Sequence, residues 1–412
     1  MRFAALLFLA VPAIAQDPAV IETEHYVLHA EGPRAQAEEY ARVLEAAWKP
    51  CERYFKAKPK IRKGEKLVVR YFETEGAWSA ALRADGAPVV MGAGGYYHPV
   101  NRTVYVYRQP TVYYSRVLLL HEAAHQFHFL AKTRNKRPVA DWYTEGVVEY
   151  LSWHHWDGTT LEHAALPNIS LKDYAAAALK ELQAETFDFG KMVEGGAPAS
   201  RAVSWALVRW LATGKDGKFM KGFDALRRKM DGGVKPSPTF RKLIGQPRAV
   251  RQQLVSWLNQ NQEPFAYVFN EWFGLGPGRM RGFFSGGTTI CRLKRVTPAF
   301  AATLEVPADK KGWRGGVLLH YTSDKDYTVG LLDWGGWVHI KRFHGSGFRT
   351  MERGEVTAIE KGTSYRFQLF RRKGKVTMMI GNTGFGPWEL PGKAFGLAVE
   401  KSDLTFRDIA WK

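Results

Sequence analysis

The sequence predicts an α+β protein whose helix and strand signals are segregated along the chain: a small α/β start, a mainly helical middle and a strand-rich end. Three observations carry this. Alternating apolar runs bracket a helical repeat near the N-terminus, apolar residues recur at helical spacing from Leu171 to about Phe283, and short aromatic and β-branched runs fill the remainder. With 412 residues, 45% of them hydrophobic, the chain has material for two or three folded domains and is not a disordered protein.

The first residues read as an export signal. Arg2 is the positive start, Phe3 to Val11 the apolar stretch, and Ala13-Ile14-Ala15 a small-x-small cleavage site before Gln16. Removal of residues 1–15 predicts a secreted or periplasmic protein, and no later run approaches the roughly eighteen apolar residues of a membrane span. Glu24 to Ala30 then alternates like a strand, Pro33 to Phe55 has helical spacing through Ala41, Leu44, Trp48 and Tyr54, and Lys66 to Phe72 returns to strand character. Gly92-Ala93-Gly94-Gly95 predicts a turn, and Val100 to Arg108 a further strand.

Helices are predicted from Tyr113 to Lys132 and from about Asp141 to Ser152, and the chain stays mainly helical to about Phe283, with Trp205, Leu207, Trp210 and Leu211 on one buried stripe. After Phe283-Phe284-Ser285-Gly286-Gly287 come Gly316 to Tyr321, Tyr327 to Asp333, Trp337 to Phe343, Tyr365 to Phe370, Val376 to Ile380 and Phe395 to Val399, which predict an antiparallel β-sandwich over residues 287–412.

The formal charge is +19, and much of it is local: Lys215 to Arg251 holds eleven Lys or Arg against Asp216, Asp224 and Asp231. Such a surface would concentrate an anionic cell-wall polymer or another polyanion, or it is a solvated helical face. No nucleic-acid motif accompanies the charge, and export argues against one. Cys51 and Cys291 are the only cysteines, which excludes a disulfide scaffold and a cysteine metal cluster and leaves their pairing open.

The informative residues are His121-Glu122-Ala123-Ala124-His125, inside the helix from Tyr113 to Lys132. Positions four apart share a helical face, so both imidazoles can hold one Zn(2+), while Glu122, one residue round, is placed to take a proton from water. A third ligand is expected from elsewhere. Glu145 follows His125 after nineteen residues on the next helix, and Glu149 lies one turn further, where a carboxylate can fix a ligating histidine. His128 and His154 are rivals for the third position. His121 and His128 lie about 10 Å apart along one helix axis, which argues against His128.

HExxH followed by a Glu about twenty residues on, within Trp142-Tyr143-Thr144-Glu145-Gly146-Val147-Val148-Glu149-Tyr150, resembles the gluzincin metallopeptidases, with a spacing similar to thermolysin and the aminopeptidase N group. The chain looks closer to bacterial peptidase-MA-like proteins, which carry a GGYY-type turn, a strand, HExxHQF and WxxEG; the likeness covers about residues 23–215. It implies a gluzincin-like domain over 16–286, with an α/β part to about 160 and a helical part from about 161. It further implies His121, His125 and Glu145 as ligands of one zinc per chain, Glu122 as general base, and Val100 to Arg108 as the strand facing a peptide or protein substrate. No GAMEN-type strand is present, which argues for an endopeptidase over an aminopeptidase. Related proteins often carry Tyr where this chain has Arg201, so the oxyanion-stabilising or substrate-contacting group is open among Arg201, Tyr97 and His154. Tyr96 and His98 either line the cleft or pack, and His154 and His155 either hydrogen-bond a tetrahedral intermediate or lie exposed in a loop.

Phe395 to Glu400 and Leu404 to Trp411 resemble the last strands of concanavalin-like sandwiches of the laminin-G and glucanase type, which implies a carbohydrate as a possible partner. Trp334, Trp337 and Trp388 are the candidates for stacking on sugar rings. Two other functions fit the same motifs: a catalytically idle, zinc-stabilised wall- or glycan-binding protein, and a zinc hydrolase of cell-wall amides. An intact Glu122 speaks against the idle scaffold, since a structural site does not need that carboxylate.

Overall fold

The computed structural model describes residues 18–412 apart from 90–91, 168–171, 261–264, 268–270, 277, 308–310, 357–359, 361 and 393; the export signal lies outside the described residues. Two compact units divide the chain, Met1–Arg137 with Gly158–Thr160, and Pro138–Asp157 with Leu161–Lys412.

In the first unit, half-buried and exposed residues alternate along β1 (Ala19–Glu22), buried and half-buried ones along β2 (Tyr26–Ala30), and the helix α1 (Arg34–Phe55) carries the chain to β3 (Leu67–Phe72). Helix α2 (Glu75–Ala84), β4 (Gly95–His98), β5 (Thr103–Tyr107) and α3 (Val112–Lys132) follow. The sheet order is β1-β2-β3-β5-β4, with β2, β3 and β5 parallel and the two edge strands antiparallel. Parallel neighbours require crossovers, and α1 and α2 lie in those two connections. Helix α2, which the sequence reading passes over, starts at Thr74, whose hydroxyl accepts from the Ala77 N–H, and it buries Trp78 with its indole N–H on the Tyr105 carbonyl.

The predicted strand Val100 to Arg108 is shorter and sits differently from its expected role. As β5 it has β3 on one side and β4 on the other, so both of its hydrogen-bonding edges are filled. The sheet ends at β4, and there an extended chain can add.

Helix α3 is buried on nearly every side, from Ser115 to Ala131. Phe127 packs between Trp48 and Phe55 of α1, with ring centroids 5.0 and 5.7 Å away. Gln126 ties the helix to the sheet: its amide donates to the Val68 carbonyl at 3.1 Å and the Arg102 carbonyl at 2.7 Å.

The second unit opens with α4 (Asp141–Ser152) and a short hairpin of β6 (His154–Trp156) and β7 (Leu161–His163). Helices α5 (Tyr174–Gln183), α6 (Phe189–Val193), α7 (Arg201–Thr213), α8 (Met220–Asp231), α9 (Thr239–Leu243) and α10 (Pro247–Gln260) complete its helical part. Part of the basic stretch has structural partners: Arg251 donates to the Leu182 and Ala184 carbonyls at the end of α5, Arg227 pairs with Asp224, and Arg241 with Glu194.

Helices α4 and α7 meet at Gly146. A methyl group there would lie 2.4 Å from the Ser204 carbonyl oxygen and 2.7 Å from Val208 Cγ2. Gly146→Ala is therefore expected to destabilise the protein by about 1 to 3 kcal/mol from overpacking, more than the roughly 1 kcal/mol that alanine returns in helix propensity. A lower denaturant midpoint checks it; an unchanged or higher midpoint would contradict this packing.

Strands resume at Phe265, before the glycine-rich stretch where sequence composition changes: β8 (Phe265–Tyr267), β9 (Glu271–Gly276) and β10 (Arg279–Leu293). Glycines that read as a boundary lie within β10, and at Gly282 the Trp272 ring comes so close that a Cβ would be 2.7 Å from it. Then come β11 (Ala299–Glu305), β12 (Arg314–Ser323), β13 (Asp326–Asp333), β14 (Trp337–His344), β15 (Gly347–Glu355), β16 (Ser364–Arg372), β17 (Lys375–Ile380), β18 (Thr383–Glu389) and β19 (Gly396–Trp411). All belong to one twelve-stranded antiparallel sheet that is sandwich-like: β19 pairs with β12 along its first half and with β11 along its second. Val317, Leu319 and Ile340 share one apolar core with Phe367, Leu369 and Met378. Cys51 and Cys291 are both buried free thiols.

Candidate metal centre

His121, Glu122 and His125 are buried on α3, and the two imidazole centroids are 4.9 Å apart, as their i, i+4 spacing dictates. Glu122 lies against the edge strand. A Cβ at Gly95 of β4 would be 2.7 Å from Glu122 Cγ, so glycine at this position leaves room for the carboxylate. His128 faces another way, stacked on Phe55 of α1 with centroids 4.8 Å apart and rings 17° from parallel. That places it among packed aromatic side chains.

On α4, Glu145 and Glu149 are one turn apart. Glu149 is buried and accepts hydrogen bonds from the Trp153 indole N–H, the Tyr174 hydroxyl and Arg201 Nη1, each at 3.2 Å. Burial pushes its carboxyl above the usual range, the Glu145 charge adds to that, and Arg201 opposes it. Arg201 opens α7, where the Ser200 hydroxyl accepts from the Val203 N–H, and its Nε lies 4.0 Å from Glu145 Oε2. The arginine thus stands beside the carboxylates of both Glu145 and Glu149. Tyr174 and Trp153 were not read from the sequence. Trp153 lies four residues after Glu149, a legible helical spacing, but nothing local links Tyr174 to that carboxylate.

On α3 of the first unit His121 and His125 put two imidazoles on one helical face, and on α4 of the second unit Glu145 and Glu149 are two carboxylates one turn apart. Two imidazoles and a carboxylate are a donor set that suits zinc, which takes nitrogen and oxygen donors at about 2 Å and commonly three protein ligands in a catalytic site. Within the first unit, Glu24, His25 and Glu45 offer one donor atom each within 4.8 Å of one another. There His25 Nδ1 is 2.5 Å from Glu45 Oε1 and its ring stacks on Trp48 at 3.8 Å, a pairing that joins the start of β2 to α1.

The remaining sequence candidates are packed more tightly than expected. Tyr97 is buried on β4, donates its hydroxyl to Asn135 Oδ1 at 2.7 Å and meets Phe129 edge-on. Burial holds the Tyr97 phenol well above its ordinary pKa. His154 and His155 are buried on β6 instead of lying in an exposed loop, with His154 Nδ1 2.8 Å from the Ser152 carbonyl. Tyr96 is only half-buried, and its pKa is raised by burial and then by the charge of Glu122. Of the three tryptophans, Trp334 and Trp337 are exposed, whereas Trp388 packs on the sandwich core and donates to Glu352 at 2.8 Å.

No family model matches the chain, and no curated protein matches it. Among solved structures it is similar to a carbohydrate-binding module, CBM66, from Bacillus subtilis, at 13% identity over 36% of this chain and 95% of the module, with a TM-score of 0.31. A toad ovary galectin in complex with thio-digalactose is 14% identical over 31% of this chain and 99% of the galectin, with a TM-score of 0.25. The chicken liver agglutinin CG-16 is 16% identical over 28% of this chain and 93% of its own, with a TM-score of 0.23. At such scores nothing is carried over from them.

Proposed function

We propose that this chain is an exported zinc-dependent endopeptidase in which His121, His125 and Glu145 hold the metal and Glu122 is the general base. The observation that carries the reading is the pair of buried imidazoles His121 and His125 on one face of α3, with Glu122 next to one of them in sequence and packed against the edge strand β4. Zinc bound there would supply a Lewis acid for the scissile carbonyl and make water acidic at neutral pH. Glu122 takes the proton of the attacking water and returns it to the leaving amine nitrogen. An extended substrate lies along β4 in place of the predicted Val100 to Arg108 strand, held by main-chain hydrogen bonds, and Gly95 keeps the carboxylate of Glu122 close to it. Arg201 acts as a positioning residue for Glu145 and Glu149.

The test is a proteomic cleavage-site profile of the purified chain, stripped of metal and then reloaded with zinc, run beside cell-wall fragments. Internal peptide-bond cleavages that return with zinc are the expected result. Zinc-dependent release of wall amides without any peptide cleavage would replace the endopeptidase reading with the wall-amide one, and no hydrolysis of either substrate would leave the idle scaffold.

A further inference from the structure

The group Glu24, His25 and Glu45 shares no residue with α3 or α4 and is built around one histidine. Glu24 and His25 lie in the turn between β1 and β2, and Glu45 stands on α1. That turn is held in place. The Thr23 N–H donates to the Tyr26 carbonyl at 2.9 Å, Thr23 Oγ1 accepts from the Tyr26 N–H at 3.0 Å, and the His25 carbonyl accepts from the Leu67 N–H of β3 at 2.8 Å. The His25 ring lies on Trp48 with its plane 16° from parallel, so the imidazole has a fixed position before any ligand arrives.

Glu45 takes one side of the ring. Its Oε1 is 2.5 Å from His25 Nδ1, and its Oε2 accepts from the His25 backbone N–H at 3.1 Å. Burial alone would raise the Glu45 carboxyl, yet the hydrogen bonds from Thr23 and His25 hold it below the usual carboxylate range. An ionised acceptor there keeps the proton on Nδ1, which in a neutral ring leaves the lone pair on Nε2. Nε2 faces Glu24 Oε1 at 3.6 Å, too far for a hydrogen bond. Two donors held about 2.0 Å from a tetrahedral metal lie about 3.3 Å from each other, so the gap is close to the one that zinc would bridge. Among the described residues neither Glu24 nor Glu45 pairs with a Lys or Arg, on a chain whose formal charge is +19.

We propose that His25 Nε2 and Glu24 bind a divalent transition-metal ion of the zinc class, with Glu45 holding the ring from its other nitrogen and water completing the coordination. A carboxylate on the outer N–H of an imidazole fixes its tautomer and makes it a stronger ligand. Imidazole with carboxylate suits zinc or copper, whereas calcium and magnesium take oxygen donors. Two protein ligands make this a weaker site than one with three, and a bound ion would tie the β1–β2 turn to α1 through the His25–Glu45 bond. The rival occupant of the gap is a second proton on His25, which would pair the imidazolium with both carboxylates and leave no place for a metal.

The experiment titrates the untagged, metal-free full-length chain with zinc at neutral pH by calorimetry, with calcium as the control ion. The wild type is expected to bind one equivalent more than His25→Ala, and His121→Ala to retain that equivalent. Glu24→Gln is expected to weaken it at least about tenfold and Glu45→Gln by about 10 to 100-fold. His25→Ala also strips Trp48 and Glu45 of their partner and disturbs the turn; Glu24→Gln, at a side chain 81% exposed, keeps the test decisive. Equal zinc uptake by the wild type, His25→Ala and Glu24→Gln overturns the proposal, as does an equivalent that calcium fills as tightly as zinc. The difference at His25 and Glu24 is read whether or not α3 holds a metal or the chain cleaves peptides, so failure here and failure of the peptidase reading are separate results.

Discussion

Glu122→Gln is expected to leave zinc bound and to lower peptide hydrolysis by at least about a hundredfold. The substitution nearly preserves volume, so the contact with β4 survives, where a Cβ at Gly95 would be 2.7 Å from Glu122 Cγ. The imidazoles of His121 and His125 are untouched. What is lost is a carboxylate able to take a proton from water and hand it to the leaving nitrogen. The comparison needs purified, metal-loaded proteins, with kcat/KM measured beside zinc content. Full activity in the variant would sink the assignment of Glu122 as base. A wild type no more active than the variant on every peptide would point to the idle scaffold instead.

Local signals decided what could be read in advance. Helix α4 begins and ends where its spacing predicts, and α3 starts one residue early, because helical hydrogen bonds join near neighbours and the apolar period is written into the segment itself. Strand pairing is not written locally. The stretch around β5 has strand character, yet nothing in it says that β4 covers one side, so the edge of the sheet lies one strand further out than the sequence predicts. Gly94, at a φ of 82°, belongs to the predicted turn, whereas Gly95 already stands in β4 and makes space for Glu122. The two C-terminal runs from Phe395 and Leu404 are one strand, β19, in which Lys401 takes a positive φ of 48° near the middle and the two halves reach different partners. His154 and His155 look like loop residues by composition. Their burial follows from the β6–β7 hairpin, whose partner strand carries little apolar pattern of its own.

The second large effect concerns the third ligand. Glu145→Ala is expected to lose zinc under mild chelation, His128→Ala to keep it, and Glu149→Ala to weaken it about 10 to 100-fold. His128 lies on the same straight helix as His121 and His125, and its ring is stacked on Phe55, so removing it costs packing energy without removing a donor. Glu149 gathers the Trp153 indole, the Tyr174 hydroxyl and Arg201, and Arg201 also approaches Glu145. Its loss leaves those three donors short of an acceptor and lets the arginine swing toward Glu145, where it would compete with a metal for the carboxylate. Glu145→Ala removes an oxygen donor outright and leaves two imidazoles, too few to hold zinc against a chelator. Metal content after dialysis, measured on variants that retain the wild-type circular dichroism, decides between the ligands. If Glu145→Ala keeps stoichiometric zinc and His128→Ala does not, the gluzincin-like site fails.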